Sequence, residues 1–341
     1  MKALVSQNHQ TIIRDITTPS LQDEDVLLQV KACGVCFSDI HKIRYQPLAE
    51  PVVLGHEVAG NVVEVGGKVV KFKVGDRVAV AHHVPCMECH SCQHGNVSMC
   101  TEFKESHLDP GGFAEFVRIP GGHLEKVAFL IPEMLSNSEA SFMEPLGCCV
   151  RAVKRSGIRR GDVVVLVGLG SIGLLLMQLI CHAGAECIGL ELDPNRRAVA
   201  EDIGRVKTFV GVEPEFRQYL AKVSEGRGAD NLLLTAGSPA LIANALSWLR
   251  AGGTCTIFAS LHPEAIVPLD WNELYYREIN IVSSYSSSPV DLAEALEFLE
   301  RGVVKVSKLA NQTFTLEQFD EALASVESRA ILKAVITPHA S

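Results

Sequence analysis

Four cysteines crowd into the segment PCMECHSCQHGNVSMC, at Cys86, Cys89, Cys92 and Cys100. The spacing C-x2-C-x2-C-x7-C lets four thiolates from one short stretch of chain surround a single Zn²⁺ tetrahedrally. A zinc ion with four protein ligands has no position left for a substrate, so a site of this kind is structural. The sequence therefore predicts one structural zinc and places the chemistry of the protein elsewhere.

A second set of potential metal ligands precedes the four cysteines. Cys36 and His56 are residue types that bind zinc, and a catalytic zinc needs three protein ligands and one replaceable position. A carboxylate would complete the set, and there are two candidates: Glu57 beside His56, and Glu144 in the segment MEPL. We expect an open, catalytic zinc site, with the choice between the two glutamates open at this point.

Three residues close to Cys36 are candidates for supporting roles at that site. Asp39 could accept the second N–H of His56 and fix its tautomer, as carboxylates behind metal-bound histidines do. Ser38 and His41 could pass a proton from a zinc-bound substrate to solvent. The alternatives are a turn or helix-capping aspartate, a surface hydroxyl and a surface imidazole.

A glycine motif, GLGSIG, marks a separate nucleotide-binding region. It follows the continuous, Val-rich run Val163–Val167 and opens an apolar helical stretch, which is the context that a dinucleotide fingerprint needs. The pyrophosphate would lie on the free N–H groups of the helix N-terminus. The predicted cofactor contacts in this turn are Gly168, Gly170, Ser171, Ile172 and Gly173.

The nature of the cofactor follows from the residues after the next strand. Glu191 lies about 20 positions beyond the glycines, where an acidic residue binds the ribose hydroxyls of the adenosine, and Asp193 is the alternative. A carboxylate at this place repels a 2′-phosphate, so we expect NAD rather than NADP. Arg196 is a further candidate for cofactor binding, and together with Arg197 it could permit some use of NADP.

The pattern of predicted secondary structure changes near residue 150. Residues 1–150 contain short β segments broken by Gly, Pro and Asp, whereas strands and helices alternate beyond that point. Such alternation is typical of a doubly wound parallel sheet. The strands predicted in that region include Thr208–Val210, Asn231–Leu234 and Thr254–Phe258, and a helix is predicted over Ala240–Leu249. The last strand of the chain is predicted over Ala330–Ile336.

Composition excludes several classes of function. The net charge of −9 argues against a nucleic-acid partner or an anionic membrane surface, which favour basic patches. The N-terminal segment lacks a continuous apolar run, and no stretch is long enough to span a bilayer. The eleven cysteines cluster at metal-ligand spacing and indicate reduced thiols. We therefore expect a cytoplasmic protein with no membrane partner.

Taken together, these motifs closely resemble the zinc-containing medium-chain dehydrogenase/reductase family over essentially the whole chain. The segments that carry the resemblance are CGVCFSDIH, GHEVAGNVVEVG, GDRVAV, the four-cysteine segment, GGFAEFVRIP and GLGSIG. The segment with Glu144 resembles the polyol (sorbitol) and butanediol dehydrogenase branch. The resemblance implies zinc at Cys36, His56 and Glu144, with Glu57 close by and Ser38 and His41 in a proton relay.

The same resemblance implies a fold and an assembly. It implies an α/β protein with a doubly wound Rossmann sheet and a β-rich, GroES-like catalytic domain. The catalytic zinc-binding domain would comprise residues 1–150 and 287–341, and the dinucleotide-binding domain residues 151–286. It also implies a homodimer or homotetramer joined through the nucleotide-domain sheet.

The predicted activity is NAD-dependent oxidation of a secondary alcohol, in a polyol, sugar alcohol or diol, to a ketone. The predicted cofactors are one catalytic zinc, one structural zinc and NAD. An alternative of the same chemistry is a threonine or simple-alcohol dehydrogenase. Two alternatives from other classes are a binding protein that has lost catalysis and a zinc-ribbon nucleic-acid module, against which the complete ligand set and the acidic charge argue respectively.

Overall fold

The computed structural model describes residues 1–46, 48–204, 206–262, 264–310 and 312–339. The chain divides into two compact units, Met1–Gly147 together with Ser287–Ser341, and Cys148–Ser286. We call them the outer unit and the middle unit. Whether each is an independent domain with the predicted boundaries at residues 150 and 286 stays a prediction.

The first part of the outer unit consists of short elements. Its strands are β1 (Lys2–Gln7), β2 (Gln10–Asp15), β3 (Val26–Gly34), β4 (Val52–Val53), β5 (Glu57–Val65), β6 (Arg77–Ala81), β7 (Phe116–Ile119) and β8 (Ala128–Leu130). Its helices are α1 (Phe37–Tyr45), α2 (His90–Gln93), α3 (Thr101–Glu105), α4 (Gly121–Lys126) and α5 (Asn137–Ala140), with a 3-10 turn at Val97–Met99. Helix α6 (Met143–Ser156) follows.

The middle unit alternates strand and helix, and the chain then returns to the outer unit. The middle elements are β9 (Val163–Val167), α7 (Ser171–His182), β10 (Glu186–Leu190), α8 (Pro194–Gly204), β11 (Lys207–Phe209), α9 (Pro214–Val223), β12 (Ala229–Leu234), α10 (Pro239–Ala245), a 3-10 turn (Leu246–Trp248), β13 (Leu249–Ile257), α11 (Trp271–Tyr276) and β14 (Asn280–Ser283). The last elements are α12 (Pro289–Glu300), β15 (Thr313–Phe314), a 3-10 turn (Leu316–Gln318), α13 (Phe319–Glu327) and β16 (Val335–Ile336).

The main sheet of the outer unit brings three chain segments to one edge. Its strand order is β15-β16-β3-β5-β6-β8, with β7 also paired to β3, and β2-β1-β4 form a smaller sheet. Gly34 at the end of β3 is opposite Glu57 at the start of β5, and Glu57 is opposite Ala81 at the end of β6. Because neighbouring strands run antiparallel, the residues just after β3, just before β5 and just after β6 meet at this edge.

The middle unit holds a six-stranded parallel sheet of order β11-β10-β9-β12-β13-β14. Numbered within the unit, this is the order 3-2-1-4-5-6 of a doubly wound dinucleotide-binding fold, so the predicted fold class is confirmed. Every residue of β9 is buried, as expected for a strand that helices cover on both faces. No helix in the described part of the chain is long and apolar enough to cross a bilayer.

Several predicted element bounds are wrong. The helix predicted over Ala240–Leu249 ends at Ala245, and Leu249 already belongs to β13, where it pairs with Ala229. The predicted last strand is reduced to Val335–Ile336, because Arg329 has a φ of 64° that ends α13 and only the last two residues pair with β3.

Two further differences concern the middle sheet. The strand predicted over Thr208–Val210 lies one residue earlier, at Lys207–Phe209. Strand β14 was not predicted, because its residues are mostly exposed at the sheet edge and lack the continuous apolar run of a central strand.

Candidate active site

Cys36, His56 and Glu57 converge at the edge where β3 and β5 meet. Each offers one potential ligand atom, and these atoms all lie within 4.8 Å of one another. The convergence follows from the sheet register, since Cys36 follows β3 and His56 immediately precedes β5. One thiolate, one imidazole and one carboxylate form a donor set that zinc accepts.

The backbone before His56 requires a glycine. Gly55 has a φ of 92°, a conformation that L residues rarely adopt. A Cβ there would also come within 2.8 Å of the backbone nitrogen of Phe113 and 2.9 Å of the sulfur of Cys33. The turn that aims His56 at Cys36 therefore depends on the absence of a side chain at this position.

Asp39 ties the two ligands together from the first turn of α1. Its Oδ2 accepts a hydrogen bond from the N–H of Cys36 at 3.0 Å, and its Oδ1 lies 3.3 Å from Nδ1 of His56. The side chain is 1% exposed. The structure thus brings Asp39 and His56 together as the sequence predicted, and leaves Nε2 of the imidazole for a metal.

Asp39 and His56 each stabilise the charged form of the other. Burial alone would raise the pKa of Asp39, but His56 and the Cys36 N–H together lower it below its ordinary value. Burial alone would lower the pKa of His56, but Asp39 raises it well above its ordinary value. Because a zinc ligand must be neutral imidazole, a metal here competes with a proton, and its affinity increases with pH.

Glu57 carries a buried ion pair that sequence reasoning missed. Nζ of Lys333 donates a hydrogen bond to Oε1 of Glu57 at 2.6 Å, and the two residues are only 5% and 1% exposed. Burial lowers the pKa of Lys333, but Glu57 and then Cys36 outweigh it and raise the pKa above its ordinary value. The sole signal in the sequence was one cation inside the apolar segment ILKAVI.

The pair has space because Gly34 has no side chain. A Cβ on Gly34 would lie 1.9 Å from Oε2 of Glu57 and 3.0 Å from Cε of Lys333. Strand β3 therefore leaves a gap opposite Glu57 that the lysine fills. The carboxylate of Glu57 is therefore paired with Lys333 and also lies beside Cys36 and His56.

Glu144 lies in the first turn of α6 and is half-buried. It is not one of the three residues whose ligand atoms converge, yet its charge acts on the ammonium group of Lys333. Two carboxylates, Glu57 and Glu144, thus act on one buried lysine beside Cys36. The prediction that Glu144 is a zinc ligand stays a prediction.

Ser38 and His41 are on α1, three residues apart on the same helix. Ser38 is exposed and His41 is half-buried, with its ring 5.3 Å from that of Tyr45. Residues three apart on a helix are neighbours, so a proton could pass from one to the other towards solvent. Their relay role stays a prediction.

The four cysteines form a second, separate cluster, again with ligand atoms within 4.8 Å of one another. Sγ of Cys86 lies 3.9 Å from that of Cys92 and 3.5 Å from that of Cys100. Tetrahedral zinc with Zn–S bonds of about 2.3 Å separates its sulfurs by about 3.8 Å, so the cluster fits the ion. The N–H groups of Glu88 and Cys89 donate to Sγ of Cys86.

The glycine turn after β9 is built for a close approach by a ligand. Gly168 has a φ of 91°, and a Cβ on Gly173 would lie 2.0 Å from the carbonyl oxygen of Gly168. At Gly170, by contrast, the nearest atom to an added Cβ is Nη1 of Arg196, at 3.5 Å. Space is therefore left beside Gly170 and next to a guanidinium, which fits a pyrophosphate.

Helix α7 begins at this turn without a side-chain cap. Its N-cap is Gly170, which has no side chain to accept from the first N–H groups. The hydroxyl of Ser171 is buried and finds no hydrogen-bond partner among the described residues. Ile172 completes the first turn and is half-buried. Free N–H groups at a helix N-terminus are the usual seat of a phosphate.

Glu191 follows β10 and reaches back to the turn. Its Oε2 accepts from the N–H of Leu169 at 2.9 Å, and its Oε1 from the N–H of Asp193 at 3.0 Å. Asp193 instead begins α8, since its Oδ1 accepts from the N–H groups of Asn195 and Arg196. Of the two acidic candidates, Glu191 is the one fixed beside the glycines.

Comparison with known proteins agrees with this arrangement. Residues 22–129 match the alcohol dehydrogenase GroES-like domain, and residues 171–301 match the zinc-binding dehydrogenase domain. A sorbitol dehydrogenase of Bacillus subtilis (strain 168) is 31% identical over 332 residues, covering 95% of this chain and 92% of its own. The chain belongs to the zinc-binding dehydrogenase family. This dehydrogenase is therefore a zinc- and nicotinamide-dependent oxidoreductase.

Two other relatives extend the comparison. A D-arabitol-phosphate dehydrogenase of Enterococcus avium is 31% identical, covering 94% of this chain and 92% of its own. The crystal structure of a protein described as a zinc-binding dehydrogenase, from Sinorhizobium meliloti 1021 and bound to NADP, has a TM-score of 0.87 and 29% identity, covering 99% of both chains. The predicted GroES-like and Rossmann architecture of this dehydrogenase is confirmed.

Proposed function

We propose that this dehydrogenase oxidises a secondary alcohol of a polyol, sugar alcohol or diol to a ketone and reduces NAD. The main observation in support of the proposal is that Cys36, His56 and Glu57 converge. Lys333 donates a hydrogen bond to Glu57. The polyol class rests on the similarity to a sorbitol dehydrogenase over 95% of the chain. In the overall reaction the substrate loses a hydride to the cofactor and a proton to solvent.

Each group of the site has a separate task in the proposal. Bound zinc would supply a Lewis acid for the alcohol oxygen, and Cys36, His56 and a carboxylate would hold it. Asp39 orients His56 through Nδ1. Ser38 and His41 take the hydroxyl proton towards solvent.

Glu144 is proposed as the carboxylate that completes the ligand set. Lys333 neutralises Glu57 at a hydrogen-bond distance of 2.6 Å, which leaves Glu57 less available as a ligand. The second hydroxyl of a polyol would add recognition beyond the oxygen that reacts. The proposal therefore assigns Glu57 to the support of the site and Glu144 to the metal.

The test combines a substrate panel with one variant and its control. Initial NADH formation is measured with polyols, cyclitols, vicinal diols, threonine and ethanol, and we expect polyols or diols to give the highest kcat/KM. Glu144→Ala should lose most activity yet bind NADH as the wild type does in a fluorescence titration. The exposed Glu133→Ala is the matched control. Full turnover by Glu144→Ala, or a strong preference for ethanol or threonine, would refute the assignment.

NAD is proposed over NADP because of the fixed carboxylate at Glu191. A 2′-phosphate beside that group would meet a negative charge. The competing feature is Arg196, whose guanidinium lies beside Gly170, and a relative with 29% identity is bound to NADP. Steady-state kinetics with both cofactors decides: equal or higher kcat/KM with NADP would show that the arginine dominates, and Glu191→Ala should weaken any preference for NAD.

A homodimer or homotetramer joined through the middle sheet is also proposed. Strand β14 is one of the two edge strands of that sheet, and Ile281 on it is 41% exposed. Tyr275 and Tyr276 on α11 are exposed as well. Light scattering after gel filtration should give a dimer or tetramer, and Ile281→Lys should lower the mass. None of the eleven cysteines forms a disulfide, which supports the proposal of a reducing, cytoplasmic location.

A further inference from the structure

Three histidines that the proposed reaction does not use lie beside the four-cysteine cluster. His82 and His83 follow β6, just before Cys86, and His107 comes shortly after α3. The four-cysteine segment lies between His83 and His107 in the sequence. The fold of that segment therefore decides whether His107 reaches the other two histidines.

The three imidazoles converge as metal ligands do. One ring nitrogen of each lies within 4.8 Å of the others. Nε2 of His82 and Nδ1 of His107 are 3.1 Å apart, close to the separation of about 3.3 Å between two nitrogens on a tetrahedral zinc with Zn–N bonds of about 2.0 Å. Nδ1 of His82 is buried and finds no hydrogen-bond partner in the described part of the chain.

The ring of His83 is fixed with one nitrogen left over. Its Nδ1 lies 2.8 Å from the carbonyl oxygen of Ser106, so Nδ1 carries the proton and Nε2 keeps its lone pair. Ser106 is itself held, because its hydroxyl oxygen accepts from the N–H of Val84. The ring of Phe103 packs against His83 with centroids 4.8 Å apart. A backbone carbonyl behind a histidine is the usual support of a metal ligand.

The cluster also favours neutral imidazoles. Burial, with a smaller contribution from His107, lowers the pKa of His83 to about 4, although the Ser106 carbonyl opposes the shift. His56 and, from α1, Lys42 also oppose protonation of His82 and His83. Neutral imidazoles are the form that binds a metal ion.

We propose that His82, His83 and His107 form a third metal site, distinct from the two cysteine-containing sites and open to solvent at His107. Three neutral nitrogen donors select Zn²⁺, Ni²⁺ or Cu²⁺ over Mg²⁺ or Ca²⁺. The ring of His82 also lies 6.3 Å from the ring of His56, so an ion held here would lie close to the proposed catalytic zinc.

A second pair of histidines could also bind a metal ion and provides the control variant. His90 and His94 are four residues apart at α2, with ring centroids 4.0 Å apart. Nδ1 of His94 lies 2.8 Å from the carbonyl oxygen of His90, which leaves Nε2 of His94 available. Two histidines at this spacing can also bind Ni²⁺, so the assay must separate the two sites.

The test uses tag-free protein with its zinc retained, titrated with NiCl₂ by isothermal calorimetry, with nickel and zinc measured after dialysis. We expect one nickel per chain beyond an unchanged zinc content. His107→Ala and His83→Ala should bind this nickel about 100-fold more weakly, since even the loss of a group behind a ligand costs 10–100-fold. His90→Ala should bind it as the wild type does.

Three results would overturn the proposal. The first is the absence of nickel binding to the wild type. The second is nickel that survives in His107→Ala and disappears in His90→Ala. The third is nickel uptake matched by an equal loss of zinc that occurs to the same extent in His107→Ala, which would mean exchange at a cysteine site. Circular dichroism of His107→Ala confirms that the variant is folded, and the exposed position of His107 makes this the expected result.

Discussion

The buried pair of Glu57 and Lys333 allows the sharpest test of the site. Lys333→Met removes the cation but keeps the length and the apolar stem of the side chain. Glu57 is then left 1% exposed, without its partner at 2.6 Å. Removing one partner of a buried ion pair costs about 3–5 kcal/mol, because the remaining charge is uncompensated.

This cost converts into a large thermal shift. The outer unit has roughly 200 residues, and a unit of this size loses about 2–4 °C of melting temperature per kcal/mol. We therefore expect Lys333→Met to melt roughly 10 °C below the wild type in differential scanning calorimetry of the zinc-replete protein. Lys68→Met is the matched control: Lys68 pairs with Asp23 on the surface at 3.3 Å, and losing that pair should cost less than about 1 kcal/mol.

A double variant separates charge pairing from simple packing. Glu57→Gln should also be destabilised, since the ammonium group is then buried alone. The combination of Lys333→Met with Glu57→Gln should lose much less than the sum of the two single losses, because neither charge remains. Additive losses, or a Lys333→Met protein that melts within about 1 °C of the wild type, would refute the reasoning.

Three further outcomes are expected. Asp39→Asn removes the charge behind His56 and should weaken zinc retention against a chelator about 10–100-fold, with wild-type retention as the contrary result. Cys92→Ser should lower the zinc content by one per chain and make the four-cysteine segment sensitive to limited proteolysis, because structural zinc contributes to folding directly. Gly173→Val would direct a side chain into the carbonyl of Gly168 and should abolish NADH binding in a fluorescence titration, whereas zinc content should be unchanged.

Local signals in the sequence were sufficient for much of the molecule. The cysteine spacing and the glycine motif are short-range patterns, and each folds into a cluster or turn within a few residues of itself. Strand β9 was predicted with its observed bounds, because an unbroken run of Val and Leu is typical of a strand buried on both faces.

What the sequence did not reveal depends on contacts between distant segments. Lys333 meets Glu57 across 276 residues, and no spacing rule connects them. His107 meets His82 only because the four-cysteine segment folds back on itself. Strand β14 is defined by its pairing with β13 rather than by an apolar run of its own. In each case the partner, and not the local pattern, decides the structure.

The division of the chain has a consequence for its synthesis. Synthesis of the middle unit, Cys148–Ser286, is complete before synthesis of the outer unit, although the outer unit is begun first. A nascent or truncated chain that stops before Lys333 already contains every predicted zinc ligand. Its Glu57 nevertheless lacks the counter-charge of Lys333. A chain cut before Lys333 therefore carries the ligands but leaves the buried carboxylate of Glu57 without its cation.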